Sequence, residues 1–227
     1  MKYFDKKKFL SICKTRYAGK RLIYFKTLNS TNDYAARLEN KALKLKKPLN
    51  FFNNVNGCIV ISEIQAGGRG RNYKKWFSPS GGLWFTLILV LKIEMHDIKK
   101  MNLIMAVSIF EALKNRFGIT AKVKWPNDIY YEDKKICGIL CELNSFKEIS
   151  FLNIGTGLNA NISFDNAGDK GEELTGNAIS IREILKKDIE REELLAEIAE
   201  NFEINYEEYL NNDLKNIFLK IGNMVSV

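Results

Sequence analysis

The 227-residue sequence predicts an α+β fold: a mixed, largely antiparallel sheet covered by helices. Three observations carry that reading. Short segments rich in β-branched and aromatic residues crowd together over 121–154, with hairpin-length gaps between them. Apolar residues recur at helical spacing over 97–117 and 190–210. Strand and helix signals do not alternate regularly, as a doubly wound sheet would require. An apolar content of 46% with 27% charged residues belongs to a folded domain rather than a disordered chain.

The elements follow in order. Residues 22–25 form a short apolar run leading into Ser30-Thr31-Asn32, all good helix caps, so a strand, a turn and a helix over about 33–40 are expected. Residues 41–57 are rich in Lys and Asn and read as an exposed connection. Continuous apolar runs at 58–64 and 83–91 read as buried strands. The clearest helix is 97–117, where Leu103, Ile104, Val107, Phe110, Ala112 and Leu113 share a face and Gly118 supplies a stop. Strands are expected at 121–125, 129–131, 136–143 and 151–154, with tight turns at Pro126-Asn127 and Glu132-Asp133. Ser180-Ile181-Arg182-Glu183 fits a capping box, and 190–210 a long amphipathic helix.

Composition excludes several chemistries. His96 is the only histidine, which rules out HExxH zinc sites, His-rich metal sites and paired-imidazole acid–base schemes. Cys13, Cys58, Cys137 and Cys141 contain no CxxC spacing and read as free thiols in a reducing compartment. The N-terminus lacks a signal-peptide pattern, and the longest apolar run, 83–91, is too short to cross a bilayer. A cytoplasmic protein with no membrane partner is therefore expected. The net charge of +8 is uneven: residues 188–213 hold ten acids and one base, leaving +17 for the rest. That excess fits either a polymer groove or a site for a small polyanion.

Four segments are candidates for chemistry. Residues 66–82 make a 17-residue loop between two expected strands, with Gly67, Gly68 and Gly70 and four cations, Arg69, Arg71, Lys74 and Lys75, within seven positions. Glycines let backbone N–H groups approach a ligand, and arginine forks grip phosphate oxygens bidentately. An isolated Gly-Arg-Gly is more often a solvated loop, but the length and the Trp76-Phe77 anchor favour a ligand loop here. Lys124-Trp125-Pro126-Asn127-Asp128 would hold Lys124, Asn127 and Asp128 at a strand end, although Trp125-Pro126-Asn127-Asp128 alone is also a good hairpin turn. Lys135 follows seven residues after Asp128, with an ordinary turn lysine as its plain reading. Gly155-Thr156-Gly157-Leu158-Asn159 suits either close backbone approach to a ligand or a tight turn, and Ser30-Thr31-Asn32 suits either ligand contact or capping.

Together these segments resemble the catalytic domain of biotin–protein ligases. The resemblance rests on Ser30-Thr31-Asn32, Gln65, Gly68-Arg69-Gly70-Arg71 with Lys75-Trp76-Phe77-Ser78, Lys124 to Asp128, Lys135 with Gly138-Ile139-Leu140, and Gly155 to Asn159. They occur in the family's order and near its spacing across residues 22–215. It implies a fold similar to class II aminoacyl-tRNA synthetases, with 1–215 as the catalytic domain and 216–227 as a remnant or start of an SH3-like segment. It further implies a two-step reaction: biotin and ATP, with Mg²⁺, give biotinyl-5′-AMP and pyrophosphate, and a lysine of a biotin carboxyl carrier protein then takes the biotin. By that resemblance Ser30, Thr31, Asn32, Gln65, Gly68, Arg69, Gly70, Arg71, Trp76, Lys135 and Gly155 would bind biotin. Arg69, Arg71, Lys74, Lys124, Asn127, Lys135 and Asn159 would bind ATP. Arg69, Arg71 and Lys135 would stabilise charge on the phosphate, and Asp128 would orient or deprotonate the acceptor amine. Trp76, Trp84 and Ile139 are candidates for an apolar wall, and no residue set for a protein-bound metal stands out.

About 20 residues precede the first expected core strand, too few for the helix-turn-helix domain of many relatives, so no DNA partner is expected. A homodimer is left open. Asn72 and Tyr73 replace the small or basic residues more usual in the loop. The alternatives are a lipoate–protein ligase or octanoyltransferase, which would not need the polar Ser-Thr-Asn and Gln65 set, and a basic nucleic-acid-binding module.

Overall fold

In chain order the computed structural model contains α1 (Lys6–Ile12), β1 (Leu22–Leu28), α2 (Thr31–Leu43), β2 (Ile59–Gln65), β3 (Leu83–Leu91), α3 (Ile98–Phe117), β4 (Lys122–Lys124), β5 (Asp128–Tyr131), β6 (Lys134–Phe146), β7 (Ile149–Leu158), α4 (Ile181–Leu185), α5 (Arg191–Leu210) and β8 (Val225–Ser226). The structure describes residues 2–43, 55–91, 98–125, 127–146, 149–164, 177–211, 220 and 225–226. His96 and Pro126, and most of the 41–57 connection, lie outside them.

The strands form one sheet in the order β1-β2-β3-β7-β6-β5-β4-β8. Only β1 with β2 and β4 with β8 run parallel; the other pairs are antiparallel, as an α+β sheet built from hairpins requires. Period-two alternation sorts its residues onto two faces. Leu83, Phe85, Leu87, Ile154, Leu158 and Ile139 face the main core, which α3 and α5 complete. Their alternates, among them Val60, Ile88 and Phe151, pack on Ala35 of α2. The site lies on this second face.

Most expected elements are present with shifted ends. The 155–157 stretch, which the sequence left open between close backbone approach and a tight turn, is strand, because β7 is paired on both sides, Gly155 with Thr86 and Leu140, Gly157 with Trp84 and Gly138. Ladder bonds on two sides hold the glycines extended against their propensity for turns. Helix α1 and strand β8 were not anticipated. Val225 and Ser226, within the expected terminal segment, pair with Val123 and Lys124 at the sheet edge. The four cysteines are free thiols, and burial pushes the Cys58, Cys137 and Cys141 thiols up. Among the described residues no helix is long and apolar enough to cross a membrane.

The acidic C-terminal helix is explained by what it holds. Glu203 accepts the backbone N–H groups of Arg16 (2.7 Å), Tyr17 (3.0 Å) and Ala18 (3.1 Å), Glu200 that of Lys14 and Glu192 that of Asp5. Lys8 pairs with Glu190 at 2.8 Å and Glu193 at 3.0 Å. The N-terminal segment is thus strapped to α5 by carboxylates that satisfy its orphan amides.

Burial alone would raise the Glu203 carboxyl, but the three N–H bonds and the Arg16 guanidinium outweigh it and hold it below the usual range. A depressed carboxyl contributes stability above its unfolded value, about 4.3, and loses it as pH falls through the folded one. Glu203→Gln is expected to cost about 2 kcal/mol at pH 7 and to flatten the acid limb, measured by thermal unfolding at pH 7 and pH 4. A variant with the parent's acid profile would show that Glu203 does not hold the strap.

Candidate functional site

Three glycines on the α2 face create the space. Gly138 and Gly157 are cross-strand partners on β6 and β7, and Gly155 pairs with Leu140. A Cβ on Gly157 would lie 2.3 Å from the Trp76 indole nitrogen, and one on Gly155 only 2.4 Å from the Asn32 Oδ1. With Trp76 and Asn32 seated on these glycines, a cavity of about 500 Å³ opens beside them, lined in part by the loop between β2 and β3.

The loop is folded back on itself. Trp76 N–H donates to the Gly68 carbonyl at 2.9 Å and Gly70 N–H to that of Lys74 at 2.7 Å, with bridges joining Gln65 to Ser78 and Arg69 to Lys75. A short 3-10 turn, Arg71–Tyr73, makes the tip, and Asn72 takes the left-handed conformation (φ 54°) that Asn tolerates better than most residues. Ala66 and Gly67 N–H groups bond back to the Leu28 and Asn29 carbonyls, tying the loop to the end of β1.

One wall is a hydrogen-bonded polar network at the start of α2. The Gln65 Oε1 accepts from the Thr31 N–H (2.9 Å) and Oγ1 (3.1 Å), and its Nε2 donates to the Ser78 Oγ (3.0 Å). Thr86 donates to the Asn32 Oδ1 at 2.6 Å, while the Asn32 Nδ2 donates to the Leu140 carbonyl and, at 2.7 Å, to Glu142. Ser30 caps α2 by accepting the Asp33 N–H. Capping and site-lining are therefore both true of Ser30. Thr31 and Asn32 spend their side chains on the frame, leaving the Ser30 hydroxyl hydrogen and the second Gln65 amide hydrogen for a ligand. The Trp76 indole N–H, packed against Gly157, is buried with no hydrogen-bond partner among the described residues.

The opposite wall is cationic. Lys135 Nζ sits 2.8 Å from the Asp128 Oδ2 and 5.0 Å from the Trp76 ring centroid. Arg71 donates to the Asn127 Oδ1 at 2.9 Å, and the Asn127 amide donates to Asp128 and the Ile139 carbonyl. Asn127 thus positions Arg71, with its amide fully engaged. Asn159, which lines the cavity, spends its amide on the Lys135 and Ile179 carbonyls. Burial, then the Asp128 charge, pushes the Tyr130 phenol up, so it stays protonated.

All the expected site residues line this cavity except Gly68 and Lys124. Gly68 lies at the loop's base, where a Cβ would meet the Trp76 carbonyl, and Lys124 stacks its ammonium 5.4 Å from the Tyr130 ring. One apolar-wall expectation is corrected: Trp84 is fully buried behind Trp76 and Phe77. Ile139 is among the lining residues, and it is also packed into the main core. Thr86, Asp33 and Glu142 were missed by sequence reasoning, whereas Gly138, Gly157 and Ser78 stood inside the segments singled out there but without an assigned role. Thr86 carried a signal, a lone polar group in an otherwise apolar strand. Among the described residues no group of three His, Cys, Asp or Glu is placed to hold a metal.

Sequence comparison matches residues 24–159 to the Biotin/lipoate A/B protein ligase family. The chain belongs to that family. It is 31% identical over 201 residues to the bifunctional ligase/repressor BirA of Bacillus subtilis, covering 88% of this chain and 58% of BirA. With biotin–protein ligase 2 of Arabidopsis thaliana it shares 28% identity, covering 94% and 61% respectively. The chain therefore spans about three-fifths of the length of these family members. Among solved structures, the biotin protein ligase from Aquifex aeolicus in complex with biotin and ATP superposes with a TM-score of 0.71 at 28% identity, covering 91% of this chain and 78% of that one.

Proposed function

We propose that this family member is an ATP-dependent biotin–protein ligase that activates biotin as biotinyl-5′-AMP and transfers it to a lysine of a biotin carboxyl carrier protein. The observation that carries the reading is one cavity with a hydrogen-bonding polar wall beside Trp76 at one side and a fixed cation cluster at the other. Support comes from relatives named for biotin ligation and from the structural likeness to an enzyme holding biotin and ATP.

Each part has a task in that chemistry. The Ser30 hydroxyl and the second Gln65 amide hydrogen reach for the ureido carbonyl of biotin, and its flat bicycle packs in the cavity beside Trp76, whose indole the glycines let down onto the sheet. A biotin carboxylate oxygen attacks the α-phosphorus of ATP, the bond to the bridging oxygen breaks, and pyrophosphate leaves. Lys135 and Arg71 offset the charge that converges on that phosphorus. Mg²⁺ would arrive on the nucleotide's phosphates, since Asp128 is the one carboxylate among the described lining residues. In the second step the acceptor amine attacks the acyl carbon, AMP leaves, and the amine gives up a proton. Asp128, already engaged by Lys135 and Asn127, acts there by orienting the amine. The loop covers the anhydride and keeps water away from it.

Incubation with ATP, Mg²⁺ and biotin, followed by mass spectrometry, is expected to yield bound biotinyl-AMP, and addition of a carrier domain to yield one biotinylated lysine. Lipoate in place of biotin should give at least tenfold less adenylate, because an alkyl dithiolane leaves the Ser30 and Gln65 donors unpaired. Lipoyl-AMP in excess of biotinyl-AMP would overturn the assignment.

A further inference from the structure

The arginine expected to meet the phosphate is already held by two carboxylates. Arg69 Nη2 lies 2.7 Å from Asp33 Oδ1 and 3.1 Å from Glu142 Oε2. Those acceptors are themselves fixed on either side of the loop, Asp33 by the Asn29 amide at 3.0 Å and Glu142 by the Asn32 amide at 2.7 Å. One guanidinium between two carboxylates gives this cluster a net charge of about −1 beside the cavity that Arg69 lines. Both carboxylates draw on the two hydrogens of Nη2, so a ligand oxygen can use that edge of Arg69 only if one of them lets go, while Nε and Nη1 carry the remaining three donors. All three side chains are partly exposed, which keeps the exchange within reach of a ligand's binding energy.

We propose that Asp33 and Glu142 are positioning residues that compete with the bound anion for Arg69, and so set how tightly ATP and the adenylate are held. The inference rests on the ligase reading. It adds two residues outside the cavity lining, one on the first turn of α2 and one on β6. Their carboxylates offset the Arg69 charge and occupy its Nη2 edge in the resting protein, and the ligand gains that edge only when it displaces them. Asp33→Asn keeps a partner for Asn29, and Glu142→Gln keeps an acceptor for Asn32.

The test uses the full chain and measures ATP affinity by titration calorimetry, the dissociation rate of preformed biotinyl-AMP from Trp fluorescence, and the rate of transfer from bound adenylate. Each single variant is expected to tighten ATP and slow adenylate release about 3-fold, and the double variant about 10-fold, with the transfer rate no faster than in the parent. The gain should vanish in an Arg69→Ala background, where there is nothing to compete for. A general structural effect would instead persist without Arg69 and follow the melting temperature. Unchanged or weaker anion binding in the single variants, or a gain that survives Arg69→Ala, overturns the proposal. Failure of the parent protein to make biotinyl-AMP at all would instead overturn the ligase reading.

Discussion

A Lys135→Met variant is expected to form biotinyl-AMP about 100- to 1,000-fold more slowly while binding biotin nearly as well as the parent. The ammonium is fixed before any ligand arrives. Its backbone is clamped from both sides, with Lys135 N–H donating to the Asn177 carbonyl and its own carbonyl accepting from Ile179 and Asn159. Its side chain runs along Trp76, and Asp128 anchors the tip at 2.8 Å. A charge held in place costs no reorganisation as the reaction charge develops, which is where such a group gains over a mobile lysine. Methionine preserves the stem packed on Trp76 and removes only the cation, so substrate affinity should survive. Asp128→Asn leaves the cation but loosens its anchor, and a smaller loss of about tenfold in the same step is expected. Single-turnover measurement of adenylate formation separates these outcomes from changes in release. A Lys135→Met rate within threefold of the parent would remove Lys135 from the reacting phosphate.

The segments that carry this site were legible because each concentrates rare features locally: a cap triplet, a glycine–arginine loop, a proline-bounded strand end. Which atoms remain free in them was not. Asn32 reads from sequence as a ligand contact, yet its amide is divided among Thr86, Leu140 and Glu142, residues 54 to 110 positions away. The Gly155-Thr156-Gly157 stretch reads equally as a turn, and only pairing with strands on both sides decides for an extended floor. The charge pattern behaved similarly. An acidic 188–213 stretch and a Lys-rich start look like two separate solvated surfaces in sequence, but part of each is the partner of the other across more than 180 residues. Local chemistry is written locally; satisfaction of buried polar groups depends on contacts that the chain makes only after folding.

Arg191→Met is expected to be the most destabilising single change, costing about 3–5 kcal/mol, or on the order of 10 °C in melting temperature. Arg191 and Glu63 are only 3% and 1% exposed, and the guanidinium fork meets both carboxylate oxygens, Nη1 to Oε2 at 3.0 Å and Nη2 to Oε1 at 3.2 Å. The same fork donates to the Gly82 carbonyl at 2.9 Å and the Lys2 carbonyl at 3.0 Å. Glu63 in turn accepts the Phe4 N–H and the Tyr24 hydroxyl. Removing the cation therefore strands a buried charge and two carbonyls together, and the methionine stem restores none of their bonds. Adding Glu63→Gln should recover part of the loss by removing the stranded charge, a sign that separates this pair from simple overpacking. The pair also ties α5 to both ends of the site loop, since Gly82 closes it and Glu63 lies on β2 two residues before Gln65. Loosening Arg191 should thus weaken biotin binding even at temperatures where the variant stays folded, whereas Glu203→Gln, which frees the N-terminal strap without touching Gly82 or Glu63, should leave biotin affinity unchanged.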